Sequence, residues 1–215
     1  MSQTFGKTRW RRFAVVMVPT LAATAAVGVS LAQGALAASF SVSGSSFKVS
    51  ADSLHGTGFT QYGTVLTQVK GVDPTTGKLV DGALPVAVSG FNTATINNLC
   101  QSVDINTHIL GDYTLTIRAG QDPKNPVSAS KLFIDMTDLQ AKTAVFKNIN
   151  IGVATSGITE GPVNSTQTVD PAGFAQEATS ATLTGVEQTA WATSAGTFSL
   201  NGMHLNLAAG DTGCF

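Results

Sequence analysis

The sequence predicts a mainly β protein: an antiparallel sandwich, an open barrel or a curved, solenoid-like sheet, preceded by an N-terminal signal helix. Thr and Ser supply 46 of the 215 residues, a composition that suits half-exposed strands and disfavours helices. Apolar residues also recur at every second position in several segments, which is the side-chain period of a strand. A basic stretch followed by an apolar one predicts the signal helix.

Residues 1–38 have the three parts of a secretory signal peptide. A basic stretch, 7–12, leads into an apolar segment, 13–32. Ala35-Leu36-Ala37 then provides the small residues of a cleavage site. Cleavage is expected after residue 37 or 38, and residues 39–215 are predicted to form one β-rich domain.

The export route and the cleavage are both left open. Arg11-Arg12 is compatible with the twin-arginine route as well as with general secretion. The segment 13–32 is long enough to serve as an uncleaved anchor, although Pro19 interrupts it. In either case the positive-inside rule keeps the arginines cytoplasmic, so we expect a secreted protein or one on the outer face of the cell envelope. Membrane contact is expected only through this segment, before cleavage.

The body of the chain contains seven rows of alternating residues that predict strands. These rows are Phe47-Val49-Ala51, Val65-Thr67-Val69, Leu84-Val86-Val88, Tyr113-Leu115-Ile117-Ala119, Ile149-Ile151-Val153, Phe198-Leu200 and Leu205-Leu207. Segments rich in Pro, Gly and Asp separate them and predict turns or loops, at 73–77, 120–126, 161–162 and 170–173.

Two segments also admit a helical interpretation. Met136, Leu139, Thr143 and Phe146 have helical spacing. The segment 174–191 is rich in Ala with a similar spacing, but its Thr and Gly residues disfavour a helix. Three loosely similar stretches, ending at Gly56, Gly185 and Gly202, suggest strands that stop at glycine. This weak repetition favours stacked hairpins or a solenoid, but it does not define a repeat length.

Cys100 and Cys214 are the only cysteines. In an oxidising compartment an even pair predicts a disulfide, here between Cys100 and Cys214. Two separate buried thiols are the alternative. The bridge would attach the C-terminal tail to the body of the domain.

The charge of the body argues against nucleic-acid binding. Beyond residue 38 there are eight basic and thirteen acidic side chains, and no basic stripe. His55, His108 and His204 are scattered and do not have the spacing of metal ligands, so no metal site and no cofactor are predicted.

Four stretches of the sequence are distinctive: the Arg-Trp-Arg-Arg-Phe signal, residues 38–44, residues 51–62 and the closing Gly213-Cys214-Phe215. Together they resemble a family of small exported actinobacterial proteins of unestablished function, often labelled cholesterol esterase. The resemblance covers nearly the whole chain. It implies export and the cell envelope, and its label raises the question of a sterol or lipid ester hydrolase.

The residues give that label little support. The Gly-x-Ser-x-Gly elbow of α/β-hydrolases does not occur. Ala51-Asp-Ser53-Leu54 differs by one residue from the signature of Gly-Asp-Ser-Leu lipases, which makes Ser53 a weak nucleophile candidate. That family pairs its Ser with Asp-x-x-His, whereas this chain has Asn201-Gly-Met-His204. Asp104 and His108, four residues apart on one strand, would lie about 13 Å from each other. No catalytic residues are therefore assigned.

The sequence favours an exported, non-catalytic envelope protein that acts by binding or assembly. Charged residues make up only 12% of the chain and the mean hydropathy is +0.19, as suits a sheet that packs on something else. The apolar rows could enclose a lipid or other apolar ligand, or they could contact an envelope protein or further copies of the chain. They could also form only the core of a monomer.

Overall fold

Ten β-strands make up most of the part of the chain that the structure describes. A computed structural model describes residues 41–42, 44–73, 75–76, 79–107 and 111–215. The predicted signal peptide and signal helix lie outside these residues. In chain order the strands are β1 Ser41–Val42, β2 Phe47–Val72, β3 Leu79–Asn97, β4 Leu99–Thr107, β5 Gly111–Ala119, β6 Val127–Lys147, β7 Asn150–Ala154, β8 Phe174–Ser194, β9 Thr197–Ser199 and β10 His204–Ala209.

The prediction of a mainly β, antiparallel protein is confirmed. In the described residues the one helical element is a 3-10 turn, Thr155–Gly157, and the one parallel pair joins β1 to β2. All other strand pairs run antiparallel, so consecutive long strands can be joined by short connections.

Four long strands close into a ring. β2 pairs with β3 on one edge and with β8 on the other, and β6 pairs with both β3 and β8. Each of these strands therefore has both edges hydrogen-bonded over part of its length. Of the three architectures that the sequence left open, a barrel is the nearest, because the sheet closes on itself.

A left-handed residue divides one long strand into β3 and β4. Asn98 has φ of 52°, a conformation that Asn tolerates better than most residues. Its N–H donates to the carbonyl of Gly120 at 2.8 Å instead of joining the ladder. β2 continues past this point without a break: Ser53 pairs with Asn97, and Ser50 pairs with Cys100.

β4, β5 and β10 extend the ring as a three-stranded flank, and the C-terminal tail crosses one of its faces. On β5 the alternation is as predicted, but the threonines are the buried row while Leu115 and Ile117 are half-exposed. The tail explains why the threonine row is the buried one, because Thr114 Oγ1 donates to the carbonyl of Gly210 in the tail at 2.7 Å. The predicted disulfide is confirmed: Cys100 and Cys214 are bonded, with Cα atoms 5.8 Å apart.

Buried apolar side chains form two cores on opposite sides of the sheet. The interior core fills the ring and includes Leu54, Phe59, Phe91, Leu132 and Ile134. The outer core contains Tyr62, Leu66, Val86, Val88, Ala175 and Ala192, with Ile158 and Val169 packed against it. Those last two belong to the covering loop, our name for residues 158–173, which lies over the outer face of β2 and β3.

The helical interpretation of two segments is wrong, because both are strands. Met136 to Phe146 lie on β6, where the pairing register shifts on both sides of Met136. A bulge changes the phase of the alternation, so the apolar spacing departs from two. β8 is hydrogen-bonded on both edges, and buried residues occur on both of its faces.

The expectation that strands stop at glycine is also wrong at two of its three positions. Gly56 and Gly185 lie inside β2 and β8, and only Gly202 is in a turn. At Gly56 the reason is packing: a Cβ there would come within 2.2 Å of the Phe91 ring. The missing side chain lets the ring lie directly on the strand.

Candidate functional site: the interior cavity

The ring strands line a partly open cavity of about 230 Å³, which we call the interior cavity. All four ring strands contribute to its wall, because their inward-facing residues meet at the level of Phe59. The apolar lining residues are Leu54, Phe59, Phe91, Ile134, Leu139, Ala141, Ala144, Phe146, Leu183 and Val186. An apolar cavity of 150 Å³ is large enough to bind benzene, so this one has room for about nine to ten non-hydrogen atoms.

Three aromatic rings form one wall. Phe59 lies between Phe91 and Phe146, with ring centroids 5.4 Å and 5.0 Å apart. Both pairs are tilted, a favourable arrangement for aromatic rings. The positions of Phe59 and Phe91 are fixed by burial, since each is at most 3% exposed.

Three polar side chains interrupt the apolar lining, and two of them are satisfied within the protein. Gln61 donates to Ser89 Oγ at 3.2 Å and accepts a hydrogen bond from Gln176. The third, Gln188, is only 4% exposed. Its carboxamide lines the interior cavity, where it can offer both a donor and an acceptor to a bound molecule.

The interior cavity reaches the surface beside the second half of β6. Its lining residues on β8 are buried, whereas Leu139 and Phe146 are half-buried and Ala144 is exposed. β6 pairs with β3 only as far as Met136, and beyond that residue it pairs with β8 alone. The loss of one neighbouring strand thus provides the opening.

None of the lining residues is ionisable. A charged ligand group would lose its hydration on entry and gain no counter-charge from the wall, which is costly. The chemistry of the wall therefore suits a neutral, largely apolar molecule with a group that can hydrogen-bond to Gln188.

The residues singled out for ester hydrolysis are not brought together. Ser53 Oγ accepts a hydrogen bond from Asn97 Nδ2 at 2.9 Å. His204 is exposed on β10, and three strand spacings separate it from Ser50 through its pairs with Arg118 and Cys100. That is about 14 Å across the sheet, and Ser53 lies a further 10 Å or so along β2.

The neighbouring candidates have structural contacts as well. Asn201 donates from Nδ2 to the carbonyl of Pro126 at 2.8 Å and so holds a turn. Asp104 Oδ1 lies 3.1 Å from Thr114 Oγ1, and His108 lies outside the described residues. Within the described ranges no group of three or more His, Cys, Asp or Glu side chains is arranged to hold a metal ion. In the same ranges, no helix has the length and hydrophobicity needed to cross a membrane.

Sequence reasoning did not assign the residues of the interior cavity to a binding site. Its apolar members alternate along strands in the same way as ordinary core residues, so the pattern carries no sign of a cavity. One signal was present: Gln188 lies between Val186 and Ala190 in the buried row of β8. A carboxamide in such a row requires a partner.

The chain matches the family model described as a family of unknown function, DUF6230, over residues 43–215. No curated protein and no solved structure matches it. The family match spans the ring, the flank and the C-terminal tail with its disulfide, so the whole described fold is involved except for β1. The chain therefore belongs to the DUF6230 family, a family of unknown function.

Proposed function

We propose that the protein is an exported binding protein of the cell envelope that holds a small, neutral, largely apolar molecule in the interior cavity. One observation carries the proposal: a cavity of about 230 Å³ is apolar in ten of its thirteen lining residues and has the carboxamide of Gln188, a residue only 4% exposed, in its wall. Small-molecule sites are usually concave and apolar with a few placed polar groups, and this wall has that composition.

Export is supported by the signal-peptide pattern of residues 1–38. N-terminal sequencing of protein recovered outside the cell should begin at Ala38 or Ser39. An intact Met1 in that material would contradict cleavage.

The ligand is proposed to lie with its apolar part against the three phenylalanines and its polar head at Gln188. A carboxamide offers both a donor and an acceptor, so an alcohol, an amide or a protonated acid would each satisfy it. An ionised acid would instead bring an uncompensated charge into an apolar wall.

Matched eight-carbon ligands test this chemistry. Octanamide and octanoate have the same number of non-hydrogen atoms, and both approach the capacity of the interior cavity. We expect octanamide to raise the melting temperature with concentration, as any ligand selective for the native state does, and octanoate at neutral pH to do so much less. Equal effects of the two would contradict the head-group assignment.

Three variants locate the site. Gln188→Leu keeps the size of the side chain and should remove the preference for octanamide over octanoate. Ala144→Phe should block the opening and abolish binding, whereas Val145→Phe, at a neighbouring position that is 52% exposed, should not. Binding that survives Ala144→Phe would place the ligand elsewhere.

Native mass spectrometry of protein purified from the producing cell would identify the natural ligand. A bound molecule whose mass is that of a small apolar compound would support the proposal. Protein that consistently carries no such molecule and does not bind octanamide would contradict it. The oligomeric state in the same spectra tests the prediction of self-assembly.

A further inference from the structure

A buried carboxylate lies on the outer face of β6, away from the interior cavity. Asp135 is 4% exposed, beneath the covering loop. The loop is held over the sheet at several points: Thr60 Oγ1 donates to the carbonyl of Pro162 at 2.7 Å, and Tyr62 Oη accepts from Asn164 N at 2.8 Å. Asp135 adds a further attachment, because Gln167 Nε2 donates to its Oδ2 at 2.7 Å.

In this contact, the polar atom of each side chain that does not take part in the hydrogen bond is an unsatisfied oxygen. Asp135 Oδ1 and Gln167 Oε1 are both buried, and neither has a hydrogen-bond partner among the described residues. Both atoms are acceptors when the carboxyl is ionised, so they cannot bond to each other. If Oδ1 carries a proton it becomes a donor, and one proton satisfies both atoms.

The surroundings of Asp135 favour the neutral form. β3 contributes Val88 and β8 contributes Ala192 as its strand neighbours, the covering loop contributes Gln167, and β2 contributes Tyr62. Tyr62 is the other titratable side chain of this set, and burial raises its pKa to about 12, so it stays neutral. Burial likewise raises the pKa of Asp135, against a smaller lowering by the Gln167 hydrogen bond.

We propose that Asp135 is held as a carboxylic acid that forms a two-bond acid–amide pair with Gln167, and that this pair is a pH-dependent clasp for the covering loop. In the closed clasp, Nε2–H of Gln167 donates to Oδ2 and the Oδ1–H of Asp135 donates to Oε1. When the pH rises, the proton passes to solvent and two acceptors face each other, which favours release of the loop. The clasp is independent of ligand binding in the interior cavity.

A second carboxylate holds the start of the covering loop with the opposite dependence on pH. Glu177 Oε2 accepts from the backbone N–H groups of Glu160 at 2.8 Å and Thr159 at 2.7 Å. These hydrogen bonds lower the pKa of Glu177, so its contribution is lost as the pH falls through its folded pKa. The Asp135 contribution is present at low pH and is lost as the pH rises through the raised folded pKa. The loop should be held most firmly between these two limits.

Asp135→Asn is the decisive variant. The Asn amide presents a permanent donor to Oε1 and an acceptor to Nε2, so it reproduces the closed clasp without a titrating proton. Asp138→Asn, at an exposed position on the same strand, is the matched control. Backbone hydrogen exchange of residues 164–169, measured as a function of pH and corrected for the intrinsic pH dependence of exchange, reports the opening of the loop.

In the wild type and in Asp138→Asn, the opening equilibrium constant should rise by up to about tenfold per pH unit between the ordinary carboxyl pKa and the raised folded pKa of Asp135, and should level off above the folded pKa. In Asp135→Asn it should be independent of pH over that range, and Glu177→Gln should alter only the acidic side. Parallel profiles for the wild type and Asp135→Asn would overturn the proposal.

A second measurement does not depend on how the variants fold. The ¹³C chemical shift of the Asp135 carboxyl in the wild-type protein should titrate with a midpoint above the ordinary carboxyl range. A midpoint within or below that range would also overturn the proposal.

Discussion

Removal of the Cys100–Cys214 bridge should destabilise the protein mainly through the unfolded chain. The two cysteines are 114 residues apart in sequence. In the chain-entropy model, releasing a loop of that length restores enough freedom to the unfolded state to cost about 4.8 kcal/mol at 25 °C. In a protein of this size each kcal/mol shifts the melting temperature by about 2–4 °C, so Cys214→Ser should melt about 10–19 °C lower.

The tail should stay on the native flank after the bond is lost, because other contacts hold it. Cys214 N donates to Ser102 Oγ at 3.0 Å, and Lys48 Nζ donates to the carbonyl of Phe215 at 2.9 Å. The Cys214→Ser variant should therefore keep the native β spectrum at low temperature. An exposed contact such as that of Lys48 contributes at most about 1 kcal/mol, so the bridge is the dominant attachment.

Thermal unfolding followed by circular dichroism, with and without a reductant, measures the effect. Reduced wild type and Cys214→Ser should melt together, and the double variant Cys100→Ser/Cys214→Ser should match them. A Cys214→Ser variant that melts within about 3 °C of the oxidised wild type would refute the loop-entropy reasoning.

Two further predictions concern β2 and β3. Gly56→Ala should destabilise the fold by about 1–3 kcal/mol, because the new Cβ would lie 2.2 Å from the buried Phe91 ring. Gly63→Ala, where a Cβ meets nothing within 4 Å, should leave the unfolding free energy nearly unchanged in the same denaturant titration. Ser53→Ala should leave any hydrolysis of short p-nitrophenyl esters unchanged, because Ser53 Oγ accepts from Asn97 and is far from His204 along the sheet. Loss of hydrolysis on that substitution would restore Ser53 as a nucleophile.

The strand content was predictable because most rows keep a strict period of two. On β5 the row Tyr113-Leu115-Ile117 predicts a strand, and the structure has one. The sequence could not show that the threonine row of this strand is the buried one. That depends on the C-terminal tail, which crosses the face from almost 100 residues away.

The ring and its cavity could not be predicted from local sequence patterns for a related reason. Closure depends on β8 reaching β2, and the ends of β8 give no sign of its distant partner. The register shifts around Met136 give the apolar residues of β6 a spacing that resembles that of a helix. The most irregular strand of the ring was therefore also the hardest to predict from the sequence. The buried polar residues were visible in principle. Asp135 interrupts the apolar run Leu132–Met136, just as Gln188 interrupts the row on β8.

The position of β8 also determines when the protein can fold. Phe47 pairs with Ala190 and Tyr62 pairs with Ala175, so the first long strand has no partner on one edge until the last long strand has been made. Contacts between such distant residues make folding slow. Meanwhile the free edges of β2 and β6 can pair with other chains, which is a route to aggregation. Strand β8, in the C-terminal third of the chain, thus covers the free edge of β2, in the N-terminal third. The chain most needs a chaperone in the interval between the synthesis of these two strands.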